Sequence, residues 1–348
     1  MSDYGKTLLN IKEYYGDTLQ TSADLKTSAC CPAESVPHYI RNILKDIHPE
    51  ILEQFYGCGS PIPLGLKVLR ILDLGCGTGR DVYTLSKLVG PEGEVIGLDM
   101  TESQLETANQ HLEYHTEKFG YDTPNVRFSH GYIEDLRSIG IEDNSIDLVV
   151  SNCVLNLSPE KKKVFSEIFR VLKPGGELYF SDVFSNRRIP QDLKEDPVLR
   201  GECLSGALYN HDFRRIMRSL GCLDYRIVSQ APIELLDPDI EERIGMIQFS
   251  SATVRAFKLE TLEDICEDYG QVAIYKGSIP HAKNHFVLDD HHVFERNKPM
   301  LVCGNTASML SETRFAEHFT IHGDRSVHYG EFACDETPSQ DSAALGCC

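Results

Sequence analysis

Residues Val68–Arg80, VLRILDLGCGTGR, constrain the fold of this chain more tightly than any other stretch. An aliphatic run carries Asp73 near its end; Gly75, Gly77 and Gly79 follow at alternating positions, and then a polar helix start. A strand buried on both faces reads as a near-continuous aliphatic run. Glycines directly after it let the backbone turn sharply and come close to a ligand. Together they predict a nucleotide-type cofactor at the carboxyl end of the first strand of an open α/β sheet.

The sequence that follows keeps this rhythm. Strands are expected at 68–74, 94–99, 126–129, 146–151 and 177–183, with helices at 81–89, 102–119 and 160–172 between them. Strands alternating with amphipathic helices imply a parallel, doubly wound sheet. Pro174-Gly175-Gly176 reads as a turn into the fifth strand. A helix at 211–220, a strand at 225–228 and a strand or short helix at 245–257 would resume the sheet. Short β-like runs at 272–275, 286–288 and 299–302, then an amphipathic stretch at 313–319, read as a separate α+β appendage. The expected division is residues 1–66, a helical segment bearing Cys30 and Cys58; 67–258, the cofactor-binding domain with an insertion at about 184–210; 259–330, the C-terminal domain; and 331–348, a tail.

Charge and hydropathy exclude several function classes. Lys and Arg number 34 against 53 Asp and Glu, a net charge of −19. Phosphate backbones select clustered cations, so no nucleic-acid partner is expected. No apolar run approaches the ~18–20 residues that span a bilayer, and the polar N-terminus lacks a signal-peptide core. No membrane partner follows, and a reducing cytoplasm is the expected compartment. The twelve cysteines are therefore not read as a structural disulfide framework.

The glycines fall at relative positions one, three and five, where a dinucleotide loop wants one, three and six. With Asp73 before them, this resembles the first motif of class I S-adenosylmethionine-dependent methyltransferases. The resemblance implies a class I, Rossmann-like fold with the cofactor's methionine end over the loop and its ribose hydroxyls on Asp99, with Met100 beside it. It also implies adenine near Ile133 and Glu134, and Asn152 at the cofactor edge past strand four. A carboxylate suits two hydroxyl donors, because charge-assisted bonds are the stronger kind.

Cys153 stands on the ligand edge, in SNCVLNLSP, where many oxygen- or nitrogen-directed methyltransferases carry a base or an Asp/Asn-Pro-Pro-aromatic box; neither is present. Cys30, Cys58 and Cys203 lie in comparable loop or glycine-rich settings. The ordered set TSADLKTSAC, FYGCG, ILDLGCGTGRD, SNCVLNL, LKPGGELYFSDV and GECLSGALY resembles the arsenite methyltransferase family from about Thr21 to Tyr209. Carried over by motif, Cys30, Cys58, Cys153 and Cys203 are the functional thiols and Tyr56 touches the cofactor; Cys30 rather than its neighbour Cys31 matches the register.

Soft thiolates are the preferred ligands of trivalent arsenic. Cys153 and Cys203 are the expected core ligands, with Cys58 as a third. Methylation formally oxidises arsenic, and a Cys30–Cys58 disulfide would return it to the trivalent state. Small thiols such as glutathione, or thioredoxin, would reduce that disulfide. Two other readings fit parts of the sequence: a methyltransferase of another small molecule, and a non-catalytic thiol-rich metalloid binder. A zinc site would want four ligands, commonly in CxxC pairs, and the chain has no such pair. Cys76 reads as packing, and Cys222, Cys266 and Cys303 as plain core or surface residues. Asp289-Asp290-His291-His292 reads as a solvated loop and Lys161–Lys163 as a solvated helix start.

Overall fold

The computed structural model describes residues 36–54, 60–196, 199, 203–235 and 238–333. The aliphatic run becomes β1 (Arg70–Leu74), whose Ile71, Leu72 and Leu74 are wholly buried. It is flanked in parallel by β2 (Glu94–Asp99) and β4 (Ile146–Asn152). Further strands are β3 (Val126–His130), β5 (Leu172–Ser185), β6 (Leu208–Tyr209), β7 (Tyr225–Pro232) and β8 (Phe249–Phe257). Among the described residues they form one sheet ordered β3-β2-β1-β4-β5-β8-β7, with β6 paired to β5. The strand order reverses between β1 and β4, which opens a crevice at their carboxyl ends.

Four expectations need correction. The sheet is mixed, not parallel: β8 runs antiparallel to both β5 and β7. The 233–248 connection returns the chain to a neighbouring strand, as antiparallel pairs allow, instead of crossing the sheet. Pro174-Gly175-Gly176 is not a turn before the fifth strand. It lies inside β5, where the register against β4 slips between Ile146 and Leu148, as at a β-bulge. The 102–119 helix is broken at His111 into Glu102–Gln110 and Leu112–Phe119. The break has a tertiary cause, because the His111 ring meets the Glu50 carboxylate at 2.8 Å and stacks on His48.

The fourth correction concerns the last third of the chain. The described strands are β9 (Glu267–Asp268), β10 (Gln271–Tyr275), β11 (His285–Val287), β12 (Val293–Glu295), β13 (Pro299–Val302), β14 (Phe319–His322) and β15 (Gly330–Glu331). They pair as one three-stranded sheet, β13-β10-β14, and two two-stranded ones. A helix, Gly304–Ser311, was not expected there; its small residues are almost all buried and form no apolar stripe. The 313–319 stretch is instead a 3-10 turn, Ala316–His318, leading into β14. Asp289-Asp290-His291-His292 is no simple solvated loop, since Asp289 is 1% exposed and bridges Arg226 and His292.

This C-terminal sheet domain buries Tyr275, Phe286, Phe294, Phe315 and Phe319 together. It is tied to the main sheet by a buried ionic triad. Glu177 of β5 accepts from Arg255 of β8 at 2.5 Å and from Arg314. Arg255 also donates to the Leu288 carbonyl and lies over the Tyr179 and Phe315 rings. No described helix is long and apolar enough to cross a membrane.

Candidate active site

The loop after β1 folds over the end of β2. Gly75 and Cys76 both donate main-chain N–H to the Leu98 carbonyl, at 2.7 and 3.0 Å. Gly75 has φ +73°, and a Cβ there would stand 2.4 Å from a Val154 methyl, so both conformation and space demand glycine. Gly77 and Thr101 each donate N–H to one Asp99 oxygen, both at 2.9 Å. The carboxylate thus pins the loop while keeping further lone pairs for a ligand.

One cavity collects most of the expected cofactor residues: Asp73, Gly75, Gly77, Asp99, Met100, Ile133, Glu134 and Asn152, together with Cys153. Gly79 does not line it. Its place is at the start of helix Arg80–Val89 with φ +90°, where a Cβ would meet the Phe128 ring at 2.9 Å. Tyr56, Cys30 and Cys58 lie outside the described residues.

The cavity is acidic. Asp73, Asp81, Asp99 and Glu134 line it with Arg80 as the cation, and Arg80 pairs with Asp81 at 2.7 Å. Burial pushes the Asp73 carboxyl well above its usual range, and Asp81 and Asp99 add to that rise against Arg80. Burial also raises Asp99, opposed by the Gly77 and Thr101 amides. Buried carboxylates in excess favour a cationic ligand.

Cys153 follows β4 with φ +59° and is 5% exposed; Cys203 has φ +61° and is wholly buried. The Cys203 thiol lies 3.6 Å from the Cys153 carbonyl oxygen. One set of contacts closes the Cys203 loop on itself, and another joins it to the loop after β4. Leu204 and Ser205 both donate to the Leu199 carbonyl, and Gly206 sits so tightly that a Cβ would stand 2.2 Å from the Asn156 carbonyl oxygen. Beneath them, Asp182 accepts from the Asn156 and Val183 amides, and burial pushes its carboxyl up to about 7. Both cysteines belong to one apolar cluster with Val183, Ile189, Leu193 and Phe249. Cys153 is disulfide-bonded, whereas Cys203 and Cys76 are in no disulfide. Cys76 packs where a Gly97 Cβ would come within 2.9 Å of its sulfur.

Several cavity residues escaped the sequence reading. Asp81, second in the helix after the glycine loop, accepts from the Asn152 amide at 3.1 Å; its place right after Gly79-Arg80 was a usable signal. Gln104 faces Gly77, and Ser158 donates to Glu134 at 2.5 Å; no local pattern marks either. Lys161 is not simply solvated, since it donates to the Asn156 and Ser158 carbonyls and ties down this turn.

Family comparison agrees with the geometry. Residues 66–221 match the model of a methyltransferase domain, and residues 269–344 that of an arsenite methyltransferase C-terminal domain. An arsenite methyltransferase of Aquipseudomonas alcaligenes is 51% identical over 97% of this chain and 99% of its own length. The chain belongs to the arsenite methyltransferase family. The Rattus norvegicus arsenite methyltransferase is 45% identical over 89% of this chain and 84% of its own. The crystal structure of an arsenic(III) S-adenosylmethionine methyltransferase from Chlamydomonas reinhardtii, 52% identical, superposes with a TM-score of 0.83 over 86% of this chain and all of that one. As a member of this family the protein is an S-adenosylmethionine-dependent methyltransferase with a class I core.

Proposed function

We propose that this enzyme methylates trivalent arsenic held by the Cys153 and Cys203 sulfurs, with Cys58 as a third ligand, giving mono- and dimethylated arsenicals in a reducing cytoplasm. The contact between Cys203 and the Cys153 backbone, at the rim of the acidic cavity, carries this reading. It brings together two cysteines fifty positions apart, inside an apolar cluster that keeps water from competing with sulfur.

S-adenosylmethionine supplies an electrophilic methyl group on its sulfonium. Asp99, Met100, Ile133, Glu134 and Asn152 are the residues proposed to hold it, with Asp73 and the Gly75–Gly77 turn at its methionine end. Tyr56 is proposed to contact it as well. The cysteines keep the arsenic lone pair available without a general base, so alignment supplies most of the rate. Each transfer leaves arsenic formally pentavalent; Cys30 and Cys58 then give up an electron pair as a disulfide, and arsenic becomes trivalent again. A small thiol such as glutathione, or thioredoxin, reopens the disulfide.

The deciding experiment incubates purified protein with S-adenosylmethionine, arsenite and glutathione or the thioredoxin system, and separates the arsenic species. Mono- and dimethylated arsenic are expected. Intact cofactor binding without methylated arsenic would refute the reading. Cys30→Ser should still methylate a trivalent monomethyl substrate; loss of that step would refute the division between ligand and redox thiols.

A further inference from the structure

Besides the contact between Cys203 and Cys153, the two cysteine loops meet where Gly206 packs on Asn156. A Cβ at Gly206 would stand 2.2 Å from the Asn156 carbonyl oxygen and 3.0 Å from its carbonyl carbon. Gly206 does not have positive φ, so space and not conformation demands glycine there. Asn156 is 1% exposed and firmly held. Its main-chain N–H donates to Asp182 at 3.0 Å, and its side-chain amide donates to the Val183 carbonyl at 2.5 Å. Its own carbonyl accepts from the Lys161 ammonium at 2.9 Å. Cys153, three residues earlier, donates its N–H to the Ser181 carbonyl at 2.8 Å. Both ends of this turn are therefore anchored on β5, the strand that carries Ser181, Asp182 and Val183.

The Cys203 loop is closed by bonds within itself, from Leu204 and Ser205 to the Leu199 carbonyl and from Ala207 to the Leu204 carbonyl. Pressure at the Gly206 contact would therefore shift the Cys203 loop and leave the anchored turn in place. We infer that Asn156 is a positioning residue for arsenic: fixed to β5 through Asp182 and Val183, it is the surface on which Gly206 docks, and it sets where the Cys203 sulfur stands relative to Cys153. This role rests on the reading of Cys153 and Cys203 as the arsenic ligands. Neither Asn156 nor Gly206 lines the cofactor cavity, so the contact acts on the acceptor side of the reaction and not on the methyl donor.

The test compares full-length wild type, Gly206→Ala, Asn156→Ala and Cys203→Ser, each reduced with glutathione. Calorimetry measures S-adenosylmethionine affinity, initial rates give kcat and KM for arsenite, and X-ray absorption at the arsenic edge counts the As–S bonds of bound arsenite. Displacing a reacting group by about 1 Å costs on the order of 100-fold in rate. Gly206→Ala should therefore lose about 100-fold in kcat/KM for arsenite and hold arsenic through fewer sulfurs, while binding the cofactor as wild type does. Asn156→Ala keeps the backbone contact and loses only the amide bond to Val183, so the same split is expected at about 10-fold. Wild-type As–S coordination and kcat/KM in Gly206→Ala would overturn the positioning role. So would a loss of cofactor affinity as large as the loss of methylation, which marks a general structural defect. If Gly206→Ala does not fold, the same two readouts on Asn156→Ala decide. A Cys203→Ser protein that still methylates arsenite would refute the ligand reading and this role with it. Loss of methylation in Cys203→Ser beside a wild-type Gly206→Ala would refute the positioning role alone.

Discussion

The Cys203 thiol points at the Cys153 carbonyl oxygen from 3.6 Å, and both residues hold left-handed backbone, at φ +61° and +59°. Side chains other than glycine rarely adopt this conformation, which costs of order 1–3 kcal/mol per site. Strain at two cysteines in mutual contact indicates that sulfur, not backbone convenience, selects the residue. Cys203→Gly is therefore expected to destabilise the protein less than Cys203→Ala, while both lose arsenic methylation and keep S-adenosylmethionine binding. Thermal melts and arsenic speciation on the same samples check this, and a glycine variant that still methylates would contradict it.

Asp99 both pins Gly77 and Thr101 and faces the cavity. In Asp99→Asn one of the two backbone N–H groups would meet an amide donor, and one ligand acceptor would be lost. Bonds to charged groups contribute about 1.5–3 kcal/mol, so calorimetry should show cofactor affinity reduced roughly 10- to 100-fold.

Glu177, with no exposed surface, is shared by Arg255 and Arg314. Glu177→Gln leaves two guanidiniums near each other without their carboxylate. Breaking a buried pair in this way costs about 3–5 kcal/mol. Urea unfolding should report that loss, first in amide protection of β10 and helix Gly304–Ser311. An unchanged midpoint would show that the triad contributes little.

His115 is buried against Tyr83, accepts from the His48 amide and contacts the His111 carbonyl. Burial pushes its pKa down to about 4, against the His111 hydrogen bond. The unfolded chain therefore binds the extra proton first. The contribution is fully present above about 6.5, the ordinary histidine value, and is lost as pH falls toward 4. Melting temperature should fall over that window, and His115→Gln should flatten this part of the profile.

The carboxyl end of β1 and the acid closing β2 were legible because each signal is local. An aliphatic run, alternating glycines and a carboxylate state their backbone needs within thirty residues. The break at His111 was invisible, since Glu50 and His48 impose it from another part of the chain. Helix Gly304–Ser311 was missed because a helix buried almost all round has no periodic stripe to read.

Sequence alone marked the glycine loop after β1, the acidic residue closing β2 and the list of candidate thiols. Only the tertiary structure brought the Cys203 thiol to the Cys153 backbone. That contact forms because β4, β5 and the tight Gly206 contact bring the two loops together. Backbone conformation is written in neighbouring residues, whereas the meeting of a side chain with a distant backbone is set by the packing of everything between them.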